Sequence, residues 1–374
     1  MELTRLQEEG LKIAVDRFKH REAYTCIAGY AGTGKSTLVK FIIEALKIPE
    51  QSIAYVAYTG KASLVLQQKG CPGATTAHKL LYNTKELPDG TFKHTPKEYP
   101  PKGLKLIVVD EVSMLEQEQW NILMQWGIPV ICLGDPFQLP PIHEDNGILE
   151  HPHIFLDQVM RQAQDSEIIR LSMDVREGKS IKYSKGKDVW VIPQTRVSDK
   201  MLVTADIVLC GKNVTRYDLN KRIRQLIWQD KYADEPLSGD KCICLKNYWS
   251  IGDLANGMIG TISHIKKKNT KLLTPQMLAD FDTDTEDWFP ALSMDYKIFT
   301  EGKTTVNQDN WKLYPKDVRP MEFDYAYAIT VHKSQGSEYN NVVLFSEYLG
   351  NKEYYQRWLY TGITRAKEKL VMVF

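Results

Sequence analysis

The sequence predicts an α/β fold built on doubly wound parallel sheets, and three observations carry that reading. Short apolar runs at residues 24–28, 52–57, 104–109 and 129–133 are separated by stretches of helical periodicity. Each run ends in polar residues, so the reactive groups gather along one edge of a sheet. The first run opens through Gly29-Tyr-Ala-Gly-Thr-Gly-Lys-Ser36 into an apolar-periodic segment at 37–46, placing a phosphate-cradling glycine pattern in the strand–loop–helix setting it requires.

Taken in order, residues 4–18 form an amphipathic helix, with Leu6, Gly10, Ile13, Ala14 and Phe18 on one side. In the glycine-rich loop, Gly29, Gly32 and Gly34 allow positive φ and turn backbone N–H groups toward phosphate oxygens at a helix N-terminus. Lys35 then reaches the β and γ phosphates, and the Ser36 hydroxyl is placed to hold Mg²⁺. The second strand ends at Tyr58-Thr-Gly-Lys-Ala-Ser63, the third at Asp110-Glu-Val-Ser113 and the fourth at Gly134-Asp-Pro-Phe-Gln-Leu-Pro140. Asp110 can hold Mg²⁺ through water, Glu111 can orient or deprotonate a water, and the Gln138 amide can bond the γ phosphate or that water. Residues 82–105, centred on Pro88-Asp89-Gly90, read as a small β-hairpin.

After Pro141 the α/β pattern begins again, with a helix at 166–176, a strand at 205–210 and a basic helix at 213–228 that carries Arg216, Lys221, Arg222 and Arg224. Short alternating strands at 241–245, 258–265 and 291–299, with charged loops at 266–271 and 280–287, suggest a small β-barrel inserted in this second half. The α/β pattern resumes at Phe323 and closes with strands at 341–345 and 370–374. The expected organisation is therefore one α/β domain over 1–150 with a hairpin at about 82–105, and a second over 151–374 with an insertion at about 239–320.

Composition narrows the function classes. Of the 374 residues, 43% are hydrophobic and 25% charged, as in a globular protein. The net charge of +1 provides no general basic field, so any nucleic-acid surface is a local groove. The six cysteines form no Cys-x-x-Cys pair, which suits reduced, buried thiols in a cytosol. No apolar run reaches membrane-spanning length and the N-terminus has no apolar signal core, so a soluble, cytoplasmic protein is expected.

The order of these segments resembles a superfamily 1 helicase, in the RecD-like and Dda-like 1B branch that moves 5′ to 3′. Gly29–Ser36 is similar to motif I, Tyr58–Ser63 to motif Ia, and Thr75-Thr-Ala-His78 to the DNA-contacting segment after it. Asp110–Ser113 is similar to motif II, Gly134–Pro140 to motif III and Gln158-Val-Met-Arg-Gln162 to motif IV. The most distinctive match is Ile329-Thr-Val-His-Lys-Ser-Gln-Gly-Ser-Glu338, which resembles motif V, followed by Tyr360-Thr-Gly-Ile-Thr-Arg-Ala366, which resembles motif VI.

The resemblance implies two RecA-like doubly wound domains, the hairpin being the family's 1B pin and the inserted strands an SH3-like 2B domain. It implies ATP and Mg²⁺ as cofactors, with Gln7, Gly29, Gly32, Thr33, Gly34, Lys35, Ser36, Thr37, Gly336 and Glu338 about the nucleotide and Ser36 and Asp110 on the metal. Lys35, Asp110, Glu111 and Gln138 carry the chemistry, joined by Arg161 and Arg365 as γ-phosphate arginines. The nucleic-acid track comprises Tyr58, Thr59, Lys61, Thr76 and His78 in the first half and Thr330, His332, Lys333 and Ser334 in the second, groups suited to sequence-independent phosphate contacts. Phe92, beyond the hairpin turn, either stacks at a duplex junction or packs against the inserted domain. Two positions depart from the family pattern: Met160 stands where an aromatic often stacks on adenine, and Tyr58 where proline is usual. Tyr58 offers its ring to a base or packs beneath the loop.

The expected function is an ATP-driven monomer that translocates on single-stranded DNA and unwinds duplex junctions. Its rivals are an RNA-directed relative, a nucleic-acid-stimulated ATPase that remodels protein–DNA complexes, a small-molecule kinase and a binding module with a degenerate ATPase. The second α/β half and His332-Lys-Ser-Gln-Gly336 weigh against the kinase, and intact Lys35, Asp110, Glu111 and Arg365 against the degenerate module.

Overall fold

The computed structural model describes residues 3–86, 92–140, 146–160, 165–248, 251, 254–269, 275–284, 287–307, 310–314 and 319–374. It divides into two compact units, one formed by Met1–Thr84, His94–Ile181 and Gly350–Thr364, the other by Lys85–Lys93, Lys182–Leu349 and Arg365–Phe374.

In the first unit, α1 (Arg5–Lys19) starts at a capping box in which the Thr4 hydroxyl accepts from the Gln7 amide and the Gln7 side chain accepts from Thr4 N–H. Next come β1 (Tyr24–Gly29), α2 (Lys35–Leu46), β2 (Ile53–Ala57), α3 (Gly60–Gln68), β3 (Thr75–Thr76) and α4 (Ala77–Leu81). The strands β4 (Tyr82–Glu86) and β5 (Phe92–Pro96) make a two-stranded sheet, of which residues 85–86 and 92–93 fall in the second unit. Residues 87–91, read from the sequence as a turn, lie outside the described residues. Then follow β6 (Leu106–Val109), α5 (Gln117–Gln125), β7 (Val130–Gly134) and β8 (Ile154–Leu156).

Six strands pair in parallel in the order β3-β2-β6-β7-β1-β8. Strand alternation divides the core between the two faces. Ile107 and Val109 of β6 enter one cluster with Trp120 and Leu123, while Leu106 and Val108 enter the other with Leu38 and Ile42. Burial on both faces is what a parallel sheet demands, and it explains the near-continuous apolar runs. The unit extends past residue 150, where the sequence sets a boundary: β8 pairs with β1 from Ile27↔Ile154 to Gly29↔Leu156. A three-residue strand gives too little pattern to be read without its partner. The helix Lys352–Ile363 also belongs to this unit.

In the second unit, β9 (Ser184–Lys185), β10 (Val189–Ile192) and β11 (Ile207–Cys210) precede a helix at Asn213–Trp228. β12 (Lys241–Cys244), β13 (Ile259–Asn269), β14 (Gln276–Thr283), β15 (Trp288–Asp295) and β16 (Phe323–Tyr325) follow, and then β17 (Ala328–Thr330), β18 (Tyr339–Phe345) and β19 (Ala366–Val373). A six-stranded sheet runs β17-β11-β18-β19-β10-β9, parallel except at β9. Its core joins Val208, Cys210, Val343 and Phe345 to Leu219 and Ile223 of the helix.

The inserted strands form an antiparallel sheet in the order β15-β14-β13-β12-β16. Here three sequence expectations are corrected. Residues 266–269 and 280–283, read as charged loops, are strand: their charges are solvated or matched across the ladder, as in the 2.7 Å Lys266–Asp280 ion pair. Residues 296–299, read as strand, start the helix Tyr296–Glu301, because Asp295 caps it by accepting from the Lys297 amide at 3.0 Å. Phe323–Tyr325 pairs with β12 in the inserted sheet, and the parallel sheet resumes only at Ala328.

The helix Asn213–Trp228 is fastened to the insertion by charge. Arg224 and Asp240 are 2% and 0% exposed and bond at 2.9–3.0 Å, while Trp228 and Tyr327 also donate to Asp240. Arg216 pairs with Asp324 and Arg222 with Asp199. These arginines, read as part of a solvated or phosphate-facing run, are thus engaged within the unit.

Candidate active site

The phosphate loop leaves β1 at its carboxyl end and enters α2 through Gly32 and Gly34, both left-handed at φ +75° and +79°. Glycine is needed at 34 for space as well as angle. A Cβ there would come within 2.5 Å of Gln7 Nε2 and of Met160 Sδ. At Gly29 it would meet Thr33 Oγ1 at 2.7 Å and the Leu156 carbonyl at 2.8 Å. The loop thus packs closely on its neighbours and delivers the backbone N–H groups at the start of a twelve-residue helix, the setting in which such groups bind phosphate oxygens. Lys35 folds over the loop, its ammonium donating to the carbonyls of Gly29 (2.6 Å) and Tyr30 (3.0 Å). Ser36 and Thr37 stand in the first turn of α2, Ser36 exposed; Thr33 is buried and donates to the Tyr30 carbonyl at 2.8 Å.

Gln7 is 1% exposed and lies against this loop, its amide 3.4 Å from the carbonyls of Thr33 and Gly34 and 3.9 Å from Met160 Sδ. The Met160 amide donates to the Gly32 carbonyl at 3.0 Å, so motif IV approaches the loop through its backbone. Arg161 lies outside the described residues.

Asp110 and Glu111 follow β6, which lies between β2 and β7. Glu111 adopts left-handed φ of +55°, and its amide donates to Asp110 Oδ1 at 3.0 Å. A non-glycine residue held there is a strained turn of the kind found at functional sites. Gln138 is buried in the loop after β7. Lys35, Ser36, Asp110, Glu111 and Gln138 therefore come from the carboxyl ends of β1, β6 and β7, the β7 strand lying between the other two.

The track residues have a structural duty that sequence reading did not foresee. Thr76 and Thr330 end strands and Thr59 lies two residues beyond one, and each caps the helix that follows, accepting from the amides of Lys79 (3.2 Å), Lys333 (3.4 Å) and Ala62 (3.1 Å) respectively. Capping occupies an oxygen lone pair and leaves the hydroxyl proton able to reach a phosphate. Lys61 is buried and Tyr58 half-buried, with burial raising the Tyr58 phenol above its ordinary pKa. His78 stacks on Tyr82 at 4.6 Å and meets His94 edge-on at 4.3 Å, so burial and then His94 lower its pKa. Phe92 begins β5, and its side chain lies outside the described residues.

In the second unit, motif V occupies the end of β17 and a short helix at Val331–Ser334. Burial lowers the pKa of half-buried His332, Lys333 is exposed, and Ser334 is wholly buried with its hydroxyl on the Val331 carbonyl. Gly336 is left-handed at φ +72°, and Glu338 pairs with Lys367 at 3.5 Å. Arg365 is 4% exposed and donates to the Ser337 carbonyl at 3.2 Å.

Sequence reading assigned no role to Tyr360 or Asp135, yet they join two motifs of the first unit. Tyr360 Oη donates to Asp135 Oδ2 at 2.6 Å and accepts from the Ala31 amide at 2.9 Å. Burial and then Asp135 raise its pKa, keeping the phenol a donor. No local pattern marks such a residue, because its partners are far away in sequence.

Residues 5–189 match the family described as AAA domain, and residues 325–373 match the UvrD-like helicase C-terminal domain. The ATP-dependent DNA helicase dda of Enterobacteria phage T4 is 30% identical over 190 residues, spanning 48% of this chain and 43% of that protein. The ATP-dependent RecD2 DNA helicase of Deinococcus radiodurans is 26% identical over 388 residues, spanning 97% of this chain and 48% of that protein. The chain thus spans less than half the length of these curated relatives. Among solved structures, Pif1 helicase from Bacteroides in complex with ADP-AlF3 and ssDNA shares the fold at a TM-score of 0.58 and 18% identity, covering 100% of this chain and 92% of that one. Among the described residues, no helix is long and apolar enough to cross a membrane.

Proposed function

The chain belongs to the superfamily 1B helicases, the RecD-like and Dda-like group, and on that footing we propose that it hydrolyses ATP to move 5′ to 3′ along single-stranded DNA and part duplex ahead of it. The observation that carries this reading is the gathering of Lys35, Ser36, Asp110, Glu111 and Gln138 at the carboxyl ends of neighbouring parallel strands. The cradle closed by Gly29 and Gly34 fits a phosphate chain, and an oxygen-donor set of Ser36 and Asp110 fits Mg²⁺.

On this reading Lys35 exchanges its loop carbonyls for phosphate oxygens, a stronger charge-assisted partner. Ser36 and Asp110 would hold Mg²⁺, which when bound neutralises phosphate charge. Glu111 takes the proton of the attacking water, and Gln138 orients that water or the γ phosphate. Arg161 and Arg365 offset charge on the phosphoryl group as it transfers. Thr59, Lys61, Thr76 and His78 on one unit and Thr330, His332 and Lys333 on the other grip the strand through its phosphates, reading no base sequence, whereas Ser334, expected on the track, is wholly buried and spends its hydroxyl on the Val331 carbonyl. On the same reading the β4–β5 pair serves as the family's 1B pin and the five-stranded sheet as its SH3-like 2B domain, and the protein acts as a monomer.

Unwinding of partial duplexes carrying a 5′ or a 3′ single-stranded tail tests the proposal. ATP-dependent separation of the 5′-tailed substrate alone is expected. Preference for the 3′ tail would overturn the polarity, and turnover stimulated only by RNA strands would overturn the substrate.

A further inference from the structure

We infer that Tyr360 and Thr361 clamp the loop carrying Gln138 to the phosphate loop, making Tyr360 a positioning residue for ATP turnover; the inference rests on the function proposed above. Around Gln138 the contacts are consecutive. Asp135 Oδ1 accepts from the Phe137 amide at 2.9 Å, and the Asp135 carbonyl accepts from the Gln138 amide at 3.2 Å. On the far side, the Leu139 amide donates to Thr361 Oγ1 at 3.0 Å, and that hydroxyl donates to the Arg357 carbonyl at 2.8 Å. The Phe137 ring stands edge-on to Tyr360 at 5.3 Å and 83°.

Two adjacent residues of one helix therefore hold the segment before Gln138 and the segment after it. The same phenol that binds Asp135 also accepts from Ala31 in the phosphate loop. Tyr360 and Thr361 are 1% and 0% exposed, so water cannot replace these bonds without opening the packing. A group that orients a water or a γ phosphate must be held to a fraction of an ångström, and small misplacements cost rate more than binding. The chain runs on from this clamp into Arg365, five residues along, so a shift of the Gln138 loop bears directly on the segment that precedes the arginine.

Tyr360→Phe retains the ring against Phe137 and removes both hydrogen bonds. Its affinity for ADP should stay within about twofold of the parent while kcat for strand-stimulated ATP hydrolysis falls about tenfold or more. A role through Gln138 also predicts non-additivity: Gln138→Ala combined with Tyr360→Phe should be about as slow as Gln138→Ala alone. Amide hydrogen exchange should speed up at Ala31 and across 137–139 in Tyr360→Phe. Thr361→Val should do so at Leu139, and Thr361→Ser should restore protection there. Fully additive rate losses, or unchanged kcat, would overturn the positioning role, and unchanged exchange would overturn the clamp. A parent protein without strand-stimulated turnover would sink the proposed function instead, and the exchange measurement would still decide the clamp.

Discussion

The Lys35 ammonium lies 2.6 Å from the carbonyl oxygen of Gly29, so the loop's own cation closes over the cradle its glycines create. Lys35→Ala removes that cation without emptying any core, because the side chain is only half-buried. ATP turnover should fall below detection while the melting temperature stays within a few degrees of the parent, since surface changes of this kind shift stability by about 0.5 kcal/mol or less. Retained strand-stimulated turnover would show that the loop is not the phosphate site.

Glu111→Gln should separate binding from hydrolysis. The residue keeps its size and position, and Asp110 keeps its charge, but the water loses a base. Nucleotide affinity should hold while kcat collapses. An equal loss of affinity and rate, by calorimetry and steady-state kinetics, would assign Glu111 to binding.

Arg365→Ala should lower turnover by about 10³ if the guanidinium acts on the transferring phosphoryl group. Arg365 is also buried against the Ser337 carbonyl, so the variant should melt at lower temperature than the parent. Strand affinity, read by fluorescence anisotropy, should change little. A rate loss of about tenfold or less would leave Arg365 as a structural residue alone.

Asp240→Asn should be the most destabilising of these changes. It strips the counter-charge from Arg224, which is 2% exposed, while keeping an acceptor for Trp228 and Tyr327. Breaking a buried pair in this manner costs about 3–5 kcal/mol. Urea denaturation measures it, and a cost near zero would mean that water reaches Arg224.

Stability should decline as pH falls below the ordinary histidine value of about 6.5. Burial lowers the pKa values of His78, His153 and His332, so the unfolded chain binds protons that the native protein does not. Their contribution is complete above the unfolded value and is lost as pH drops through the folded ones. Melting temperatures between about pH 7.5 and 5.5, about one unit either side of the unfolded value, should fall less steeply in His78→Gln than in the parent. An identical slope would mean that His78 titrates freely.

What the sequence by itself determined was whatever a few neighbouring residues enforce. Glycines at 32 and 34 must take positive φ wherever the chain goes, and a strand of apolar residues followed by Asp110-Glu111 presents those carboxylates at its end. The tertiary structure decided the partnerships. Only pairing with β13 and β15 makes a strand of Gln276–Thr283, whose charges read as a loop until Asp280, opposite His264, is seen to pair with Lys266. Only β1 identifies Ile154–Leu156 as its neighbour. Thr59, Thr76 and Thr330 became caps because a helix begins directly after each of them, and Tyr360 met Ala31 and Asp135 across 329 and 225 residues of chain. Local rules set φ, caps and strand ends, whereas contacts between distant segments depend on which surfaces burial brings together.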